Sequence, residues 1–543
     1  MKINSKLILI SILLVAAFFR FYLLANVPPS ASLDEVSIGW NAYSILQTGR
    51  DEFKSFLPIL LRAYDDYRPA LYVYFVLPFV KIFGLDVVSV RLPSVILSIL
   101  SVLGTYLLVK EFFRKKISPV FNPEVIALCS AFLLAISPWH IYISRLGHEV
   151  NLGLSFLIFA VLFFLKRRIY LSSLFFILSF LSYQSEKIFI PLLLIGMFFI
   201  FKEEILSMKK KIFLPSVLSL ILISPFLKAT FEPNALIRFS GTNIFKANEA
   251  RFIEQSKKLQ EATSEGDLIG KIIYNRRLVS LQLFSEGYLS HFDPVWLFTN
   301  SSGGLHKIPN IGLLYVWEIP FILLGIYLLI KNNFYKKTKK LIFLWFLISP
   351  IPAALTTDTP HALRTFIFLP IWQIFSAIGL VGSVKIFEKY SKVLPYAFSI
   401  VVLFSLLYLY KQYFYVFPKE QSASFQFSLS QTIPFVLEKE GSYKKIVFAN
   451  HDALFQSYMF FLFYSKYDPK LYQDQGGTIS GGYSSIHKFS KYEFRNIHIP
   501  SELKGALYVI NYNDLKNLKK ESFKIVKILR DLNNEPRIAV VSK

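Results

Sequence analysis

The feature that most constrains this chain is a series of eleven nearly continuous apolar runs. They lie at residues 7–25, 87–109, 125–138, 152–165, 169–181, 188–201, 212–227, 311–330, 341–355, 366–384 and 393–416. A helix that crosses the hydrocarbon of a bilayer needs about 20 such residues, and shorter cores suffice where aromatic or snorkelling flanks extend them. With 54% hydrophobic residues and 55 Phe in 543, the chain is too apolar for a string of soluble domains with polar surfaces. The runs predict a polytopic α-helical membrane protein with about 11 transmembrane helices.

The formal net charge of +24 would suit a nucleic-acid ligand if the charges were spread over a soluble surface. Instead they cluster in short linkers: Lys110, Arg114, Lys115 and Lys116; Lys166, Arg167 and Arg168; Lys209, Lys210 and Lys211; Lys336, Lys337, Lys339 and Lys340; Lys385, Lys389 and Lys392. Clusters of this kind mark cytoplasmic loops, so no nucleic-acid partner is expected. They fall after every second run if Lys2 and Lys6 are also inside, giving a multi-pass protein of the cell (plasma) membrane with a cytoplasmic N-terminus. Arg20 interrupts the first run and no clear small-x-small cleavage site follows, so that run reads as a retained anchor. Residues 70–84 are apolar too, but counting them as a span breaks the alternation. Pro69 and Pro78 interrupt them, and they read as a re-entrant or interfacial helix of the first outer loop.

This scheme leaves residues 26–86, 139–151, 182–187, 228–310, 356–365 and everything beyond 417 outside. All eight His fall there (His140, His148, His291, His306, His361, His451, His487 and His498), whereas the single Cys, Cys129, sits within a run. An intramolecular disulfide is therefore impossible, and an outer domain must hold together by packing alone. After residue 416 the composition changes: β-rich runs at 445–449, 506–510 and 537–541 alternate with helical patterns such as 453–464. The expected division is a membrane domain, 1–416, and a small extracytoplasmic α/β domain, 417–543. Residues 533–536 read as a turn between two final strands. The pairs Gly476-Gly477 and Gly481-Gly482 lack the spacing of a nucleotide loop.

The chemistry centres on the first outer loop. Ser32-Leu33-Asp34-Glu35 opens a helical stretch that runs to Gln47 and stops at Gly49. Ser-x-x-Glu is a capping box, which accounts for Glu35 without catalysis. Asp34 could likewise serve the helix dipole.

The order of several segments resembles a known family. They are LDEVSIGWNAYSILQTG, DYRPALYVYFVLPFVKIFG, RLPSVILSIL, SPWHIYISRLGHEVNLGL, SYQSEKIFIPLLL and PHALRT. Together they look like membrane glycosyltransferases of the GT-C fold, in the branch of bacterial relatives of the dolichyl-phosphate-mannose–protein mannosyltransferases and the lipid A aminoarabinose transferase. The resemblance covers about the first 380 residues. It implies that the acidic residue after the first span, Asp34 with Glu35 beside it, is catalytic. It also implies a polyprenyl-phosphate-linked sugar donor and inversion at the anomeric carbon.

Such a donor carries its own leaving group, so the enzyme needs a base for the acceptor hydroxyl and cations for the departing phosphate. Arg68, Arg145, Lys187 and Arg364 are the candidate cations, and His361 a hydrogen-bonding neighbour of the phosphate. Each cation has a plainer reading: Arg68 pairs with Asp65 or Asp66, Arg145 answers Glu149, Lys187 snorkels, and Arg364 pairs with Asp358. The family's second acidic position is often Asp. Here it is Glu149, with His148 beside it, which leaves a second base, a metal ligand or an orienting group as its role. Asp34, His148 and Glu149 are suitable residue types for a divalent-metal site, although no ligand spacing enforces one.

The expected acceptor is a protein or an envelope glycan or lipid. An oligosaccharyltransferase or a wall-polysaccharide transferase would share the architecture. A transporter would instead place its charges inside the spans near the midplane, where this chain has few acids.

Overall fold

The computed structural model describes residues 4–114, 121–232, 243–299, 306–390, 393–482, 485–497, 505–517 and 523–543. Lys115, Lys116, Lys392 and His498 lie outside the described residues.

Each of the eleven apolar runs holds a helix. In chain order the chain forms α1 (Ser5–Phe21), α2 (Leu33–Thr48), the strands β1 (Leu60–Ala63) and β2 (Asp66–Pro69), then α3 (Leu71–Phe83) and α4 (Val87–Phe112). It continues through α5 (Pro123–Ile136), α6 (Pro138–Ser144), α7 (Val150–Leu165), α8 (Ile169–Phe180) and α9 (Glu186–Ile200). Later runs give the helices Lys209–Thr230, Glu318–Lys331, Lys336–Ile348, Ile371–Ile386 and Leu394–Tyr410. Among the described residues, four helical segments are long and apolar enough to cross a membrane: Val87–Phe112, Lys209–Thr230, Phe366–Val384 and Pro395–Glu420. The pair α5–α6, bent by 57° at Ser137-Pro138, makes a fifth if it counts as one span. Length and composition alone thus account for four or five of the eleven expected crossings. The other apolar helices, such as α7 and α8 with 16 and 12 residues, rise only about 18–24 Å, short of a hydrocarbon core of about 30 Å.

The segment set aside from the spans is α3, 13 residues long with Pro78 inside it. At about 20 Å it too is shorter than a crossing. The capping box at Ser32 forms as the spacing predicts: the Ser32 hydroxyl accepts from the Glu35 amide while the Glu35 carboxylate accepts from the Ser32 amide. The helix stops at Gly49, whose φ of 70° supplies the left-handed turn.

The chain divides into two compact units. The first comprises Met1–Ala17, Ser98–Ile143 and Val150–Ser405; the second comprises Phe18–Leu97, Ser144–Glu149 and Leu406–Lys543. Within the first, the helices Glu318–Lys331 and Ile371–Ile386 cross at Gly325 and Gly379. A Cβ on either glycine would overlap the backbone of the facing helix, at Phe375 and Phe321 respectively. Small residues permit that approach between apolar helices.

Within the second unit, the C-terminal residues form a six-stranded mixed sheet in the order β4-β5-β3-β6-β8-β7. The strands are β3 (Lys445–Ala449), β4 (His487–Phe489), β5 (Tyr492–Arg495), β6 (Ala506–Asn511), β7 (Lys524–Arg530) and β8 (Pro536–Ser542). The three runs expected as strands are β3, β6 and β8, and the turn at 533–536 joins β7 to β8 as an antiparallel hairpin. The same unit holds the first loop against the C-terminal residues. Trp40 donates from Nε1 to the Tyr467 carbonyl at 3.3 Å, and its ring meets Tyr472 edge-on.

Candidate active site

The first loop folds its polar residues around the start of α2. The strands β1 and β2 pair as a tight hairpin with Leu61 opposite Arg68. Its turn residues Tyr64 and Asp65 have φ of 53° and 63°, the left-handed pair that matches the twist of a two-residue hairpin. The Tyr64 hydroxyl then donates to the Leu33 carbonyl at 2.8 Å, pinning the turn to the first turn of α2. This hairpin delivers Arg68, whose Nη2 donates to Asp34 Oδ1 at 2.7 Å. Burial alone would lower the Arg68 guanidinium, but the Asp34 and Glu149 carboxylates outweigh it and hold it above its ordinary value.

His148 stands on the other side of Asp34. Its Nε2 is 4.0 Å from Asp34 Oδ2, and its Nδ1 is 3.5 Å from Glu149 Oε2. Of the three acidic side chains, Asp34 is 42% exposed, whereas Glu35 and Glu149 are buried. The buried Glu149 Oε2 has no hydrogen-bond partner among the described residues. Asp34, His148 and Glu149 cannot all be ligands of one ion: Asp34 and Glu149 face opposite nitrogens of one imidazole, and a single ion binds one nitrogen only. Among the described residues, no three His, Cys, Asp or Glu stand together as a metal-binding group.

Glu35 is fully engaged elsewhere. Arg91 donates to it twice, from Nε at 2.7 Å and from Nη2 at 3.1 Å. The Gly147 amide donates at 2.8 Å, and the Ser32 amide closes the capping box at 2.8 Å. Arg91 spends its remaining donors on the carbonyls of Leu24, Pro28 and Ser30. This buried, bidentate pair ties α2, α4 and the 144–149 loop together. A Cβ at position 147 would come within 2.6 Å of Val90, so the loop approaches α4 as closely as glycine allows.

Arg145 serves the backbone as well. It is fully buried, donates to the carbonyls of Phe19, Arg20 and Val27 at 2.7–3.0 Å, and lies over the rings of Tyr413 and Phe414. The sequence reading that pairs it with Glu149 does not describe these contacts.

Lys187, His361 and Arg364 belong to the first unit. Lys187 Nζ is 3.5 Å from Thr230 Oγ1 and lies over the Phe226 ring. Arg364 Nη1 donates to Thr356 Oγ1 at 2.7 Å and to the Thr357 carbonyl. His361 stacks on His306, and its amide donates to His291 Nε2 at 3.1 Å. The other His291 nitrogen meets the Gly287 carbonyl at 2.7 Å, which fixes the neutral tautomer with Nδ1 protonated. Burial lowers the His291 pKa to about 4, so the ring is an orienting acceptor for the 361–364 turn.

Three participants escaped the sequence reading: Arg91, Tyr64 and His291. Arg91 carried a signal, since a charge inside an apolar run needs a buried partner. Tyr64 and His291 act through backbone carbonyls and amides, which sequence does not single out.

The fold is that of the GT-C glycosyltransferases. Residues 67–228 match the family model of the dolichyl-phosphate-mannose-protein mannosyltransferases. ArnT from Cupriavidus metallidurans bound to undecaprenyl phosphate is similar over 98% of this chain and 97% of its own, with a TM-score of 0.54 at 11% identity. The oligosaccharyltransferase AglB from Archaeoglobus fulgidus, in complex with an inhibitory peptide and a dolichol-phosphate, aligns over 85% of this chain with a TM-score of 0.48 at 13% identity. The chain spans 63% of AglB's length. No curated protein matches the sequence.

Proposed function

We propose that this chain transfers a hexosyl or pentosyl group from a polyprenyl-phosphate donor to an acceptor hydroxyl, with inversion, at the outer face of the cell membrane. The acceptor is a protein or an envelope glycan or lipid. The observation that carries the reading is the division of labour in the acidic pair: Glu35 is locked by Arg91, the Gly147 amide and its own cap, while Asp34 is part-exposed, held by Arg68 and faced by His148. The family match and the GT-C fold support a lipid-phosphate donor.

In the proposed step the acceptor hydroxyl gives its proton to an Asp34 carboxylate oxygen as its own oxygen bonds to the anomeric carbon. The bond from that carbon to the phosphate oxygen breaks at the same time, and its electron pair leaves with the lipid phosphate. Arg68 fixes the orientation of the carboxylate. His148, 4.0 Å from Asp34 Oδ2 and 3.5 Å from Glu149 Oε2, is the proposed second participant in the proton transfer, with Glu149 as its neighbour. Arg364 and Lys187 are the proposed partners of the leaving phosphate, with His361 as a hydrogen-bonding neighbour. Arg145 and Glu35 shape the site through the backbone.

The test is consumption of a panel of polyprenyl-phosphate sugars by the purified protein, with a cell extract as acceptor and with or without chelator. One donor should be consumed, chelator should leave the rate unchanged, and Asp34→Asn should lower it by about 10²–10⁴-fold. Transfer by Asp34→Asn at the wild-type rate would remove Asp34 from the role of base.

A further inference from the structure

The first unit carries an apolar surface outside its apolar helices. Between the helices Lys209–Thr230 and Glu318–Lys331, the chain folds a helical hairpin from Glu249–Ser264, the short helix Leu268–Ile273 and Arg276–Ser290. The hairpin has its own small core of Ile244, Val279 and Leu283, with Phe252 packed against it. The short helix adds nothing to that core. Gly266, with φ of 72°, ends the first long helix in a left-handed turn, and the Asp267 side chain caps the Ile269 amide at 3.0 Å. Gly270 is then buried where a Cβ would stand 2.7 Å from the Ala262 methyl.

That contact decides which way the short helix faces. With Gly270 turned in, Leu268, Ile269, Ile272 and Ile273 are turned out, 73%, 69%, 66% and 51% exposed. Their i, i+1, i+4, i+5 spacing puts all four on one side of the helix. The exposed Leu278 and Leu281 extend the patch along Arg276–Ser290. It continues through Phe284, Tyr288 and Phe292, whose rings lie 5.4–6.0 Å apart. The Tyr288 hydroxyl bonds to the carbonyl of Leu347, an exposed residue of the apolar helix Lys336–Ile348. Four large aliphatic side chains held outward by a buried glycine are costly in water and mark an apolar partner. Lys271, Arg276 and Arg277 flank the patch, and cations beside exposed aliphatic side chains suit the boundary of an anionic bilayer.

We propose that the Leu268–Ile273 helix and the adjoining face of Arg276–Ser290 are a membrane-surface docking element. The aliphatic side chains enter the boundary between headgroups and acyl chains, and Lys271, Arg276 and Arg277 meet lipid phosphates. The element would keep the 243–299 hairpin down on the bilayer.

The test uses full-length protein with Cys129→Ala and a single introduced cysteine, carrying a nitroxide, in liposomes of phosphatidylcholine with or without phosphatidylglycerol. The label at Ile269→Cys or Ile272→Cys should collide with oxygen and be shielded from a water-soluble nickel complex. A label at Gln260→Cys, on the side of the long helix away from Gly270, should show the reverse. Shielding at Ile269 should increase with phosphatidylglycerol, and the Lys271→Gln/Arg276→Gln/Arg277→Gln variant should lose that increase. An Ile269 label open to the nickel complex in both lipids would overturn the proposal. So would one shielded from both reagents, because a protein surface, including a second copy of this chain, would then cover the patch.

Discussion

At the residue scale, neighbouring carboxylates on α2 have opposite fates because adjacent helical positions point about 100° apart. Glu35 turns toward α4 and the 144–149 loop, where Arg91 and the Gly147 amide satisfy it. Asp34 turns toward β2 and Arg68. The two should therefore fail differently. Arg91→Ala leaves Glu35 buried without its bidentate partner, a loss of about 3–5 kcal/mol, and should appear as a lower unfolding temperature or poor recovery from the membrane. Asp34→Asn, at a part-exposed carboxylate, should lower the unfolding temperature less than Arg91→Ala does while losing transfer. If Arg91→Ala melts like wild type, the pair is not what holds the site.

At the element scale, the link between the first loop and the C-terminal residues runs through Glu52. Its carboxylate accepts from Asn41 at 3.2 Å, Tyr458 at 3.2 Å and Thr478 at 2.9 Å, and burial pushes its pKa up from 4.5 to about 7 despite these donors. The folded state thus binds this proton more tightly than the unfolded state. The resulting stabilisation is full below pH 4.5 and is lost as pH rises through 7. Thermal unfolding between pH 5 and pH 8 should show stability falling across that window by about 3 kcal/mol, and Glu52→Gln should flatten the slope. An unchanged slope in that variant would place the titrating group elsewhere.

At the scale of the whole molecule, the C-terminal residues 417–543 complete the unit that holds Asp34. Gln473 donates to Ser44 and Thr48 on α2, a Cβ on Gly39 would stand 2.5 Å from the Phe463 ring, and Trp40 and Glu52 are covered by residues 458–478. A chain ending at residue 416 should therefore lose transfer and expose the first loop to protease even when it inserts in the membrane. Protease resistance equal to that of the full chain would show that the loop folds alone. Topology has its own measurement: with Cys129 replaced, a cysteine at Asp34 should react with an impermeant reagent from outside, and one at Lys337 should not.

The helices of the eleven apolar runs, the cap at Ser32 and the strands β3, β6 and β8 were legible from sequence, because local periodicity and helix-end chemistry act over a few residues. How many of those helices cross the membrane was less legible, since an apolar run reports burial and helix length is settled by where tertiary contacts bend or stop it, as at Ser137-Pro138. The site needed the fold. Asp34 meets Arg68 across 34 positions, Glu35 meets Arg91 across 56 and the Gly147 amide across 112, and Glu52 meets Thr478 across 426. Sequence determined which residue types were available near the start of α2. Only the tertiary structure decided which carboxylate is neutralised in the core and which is left accessible, because a buried charge takes whichever partner the folded backbone brings within about 3 Å.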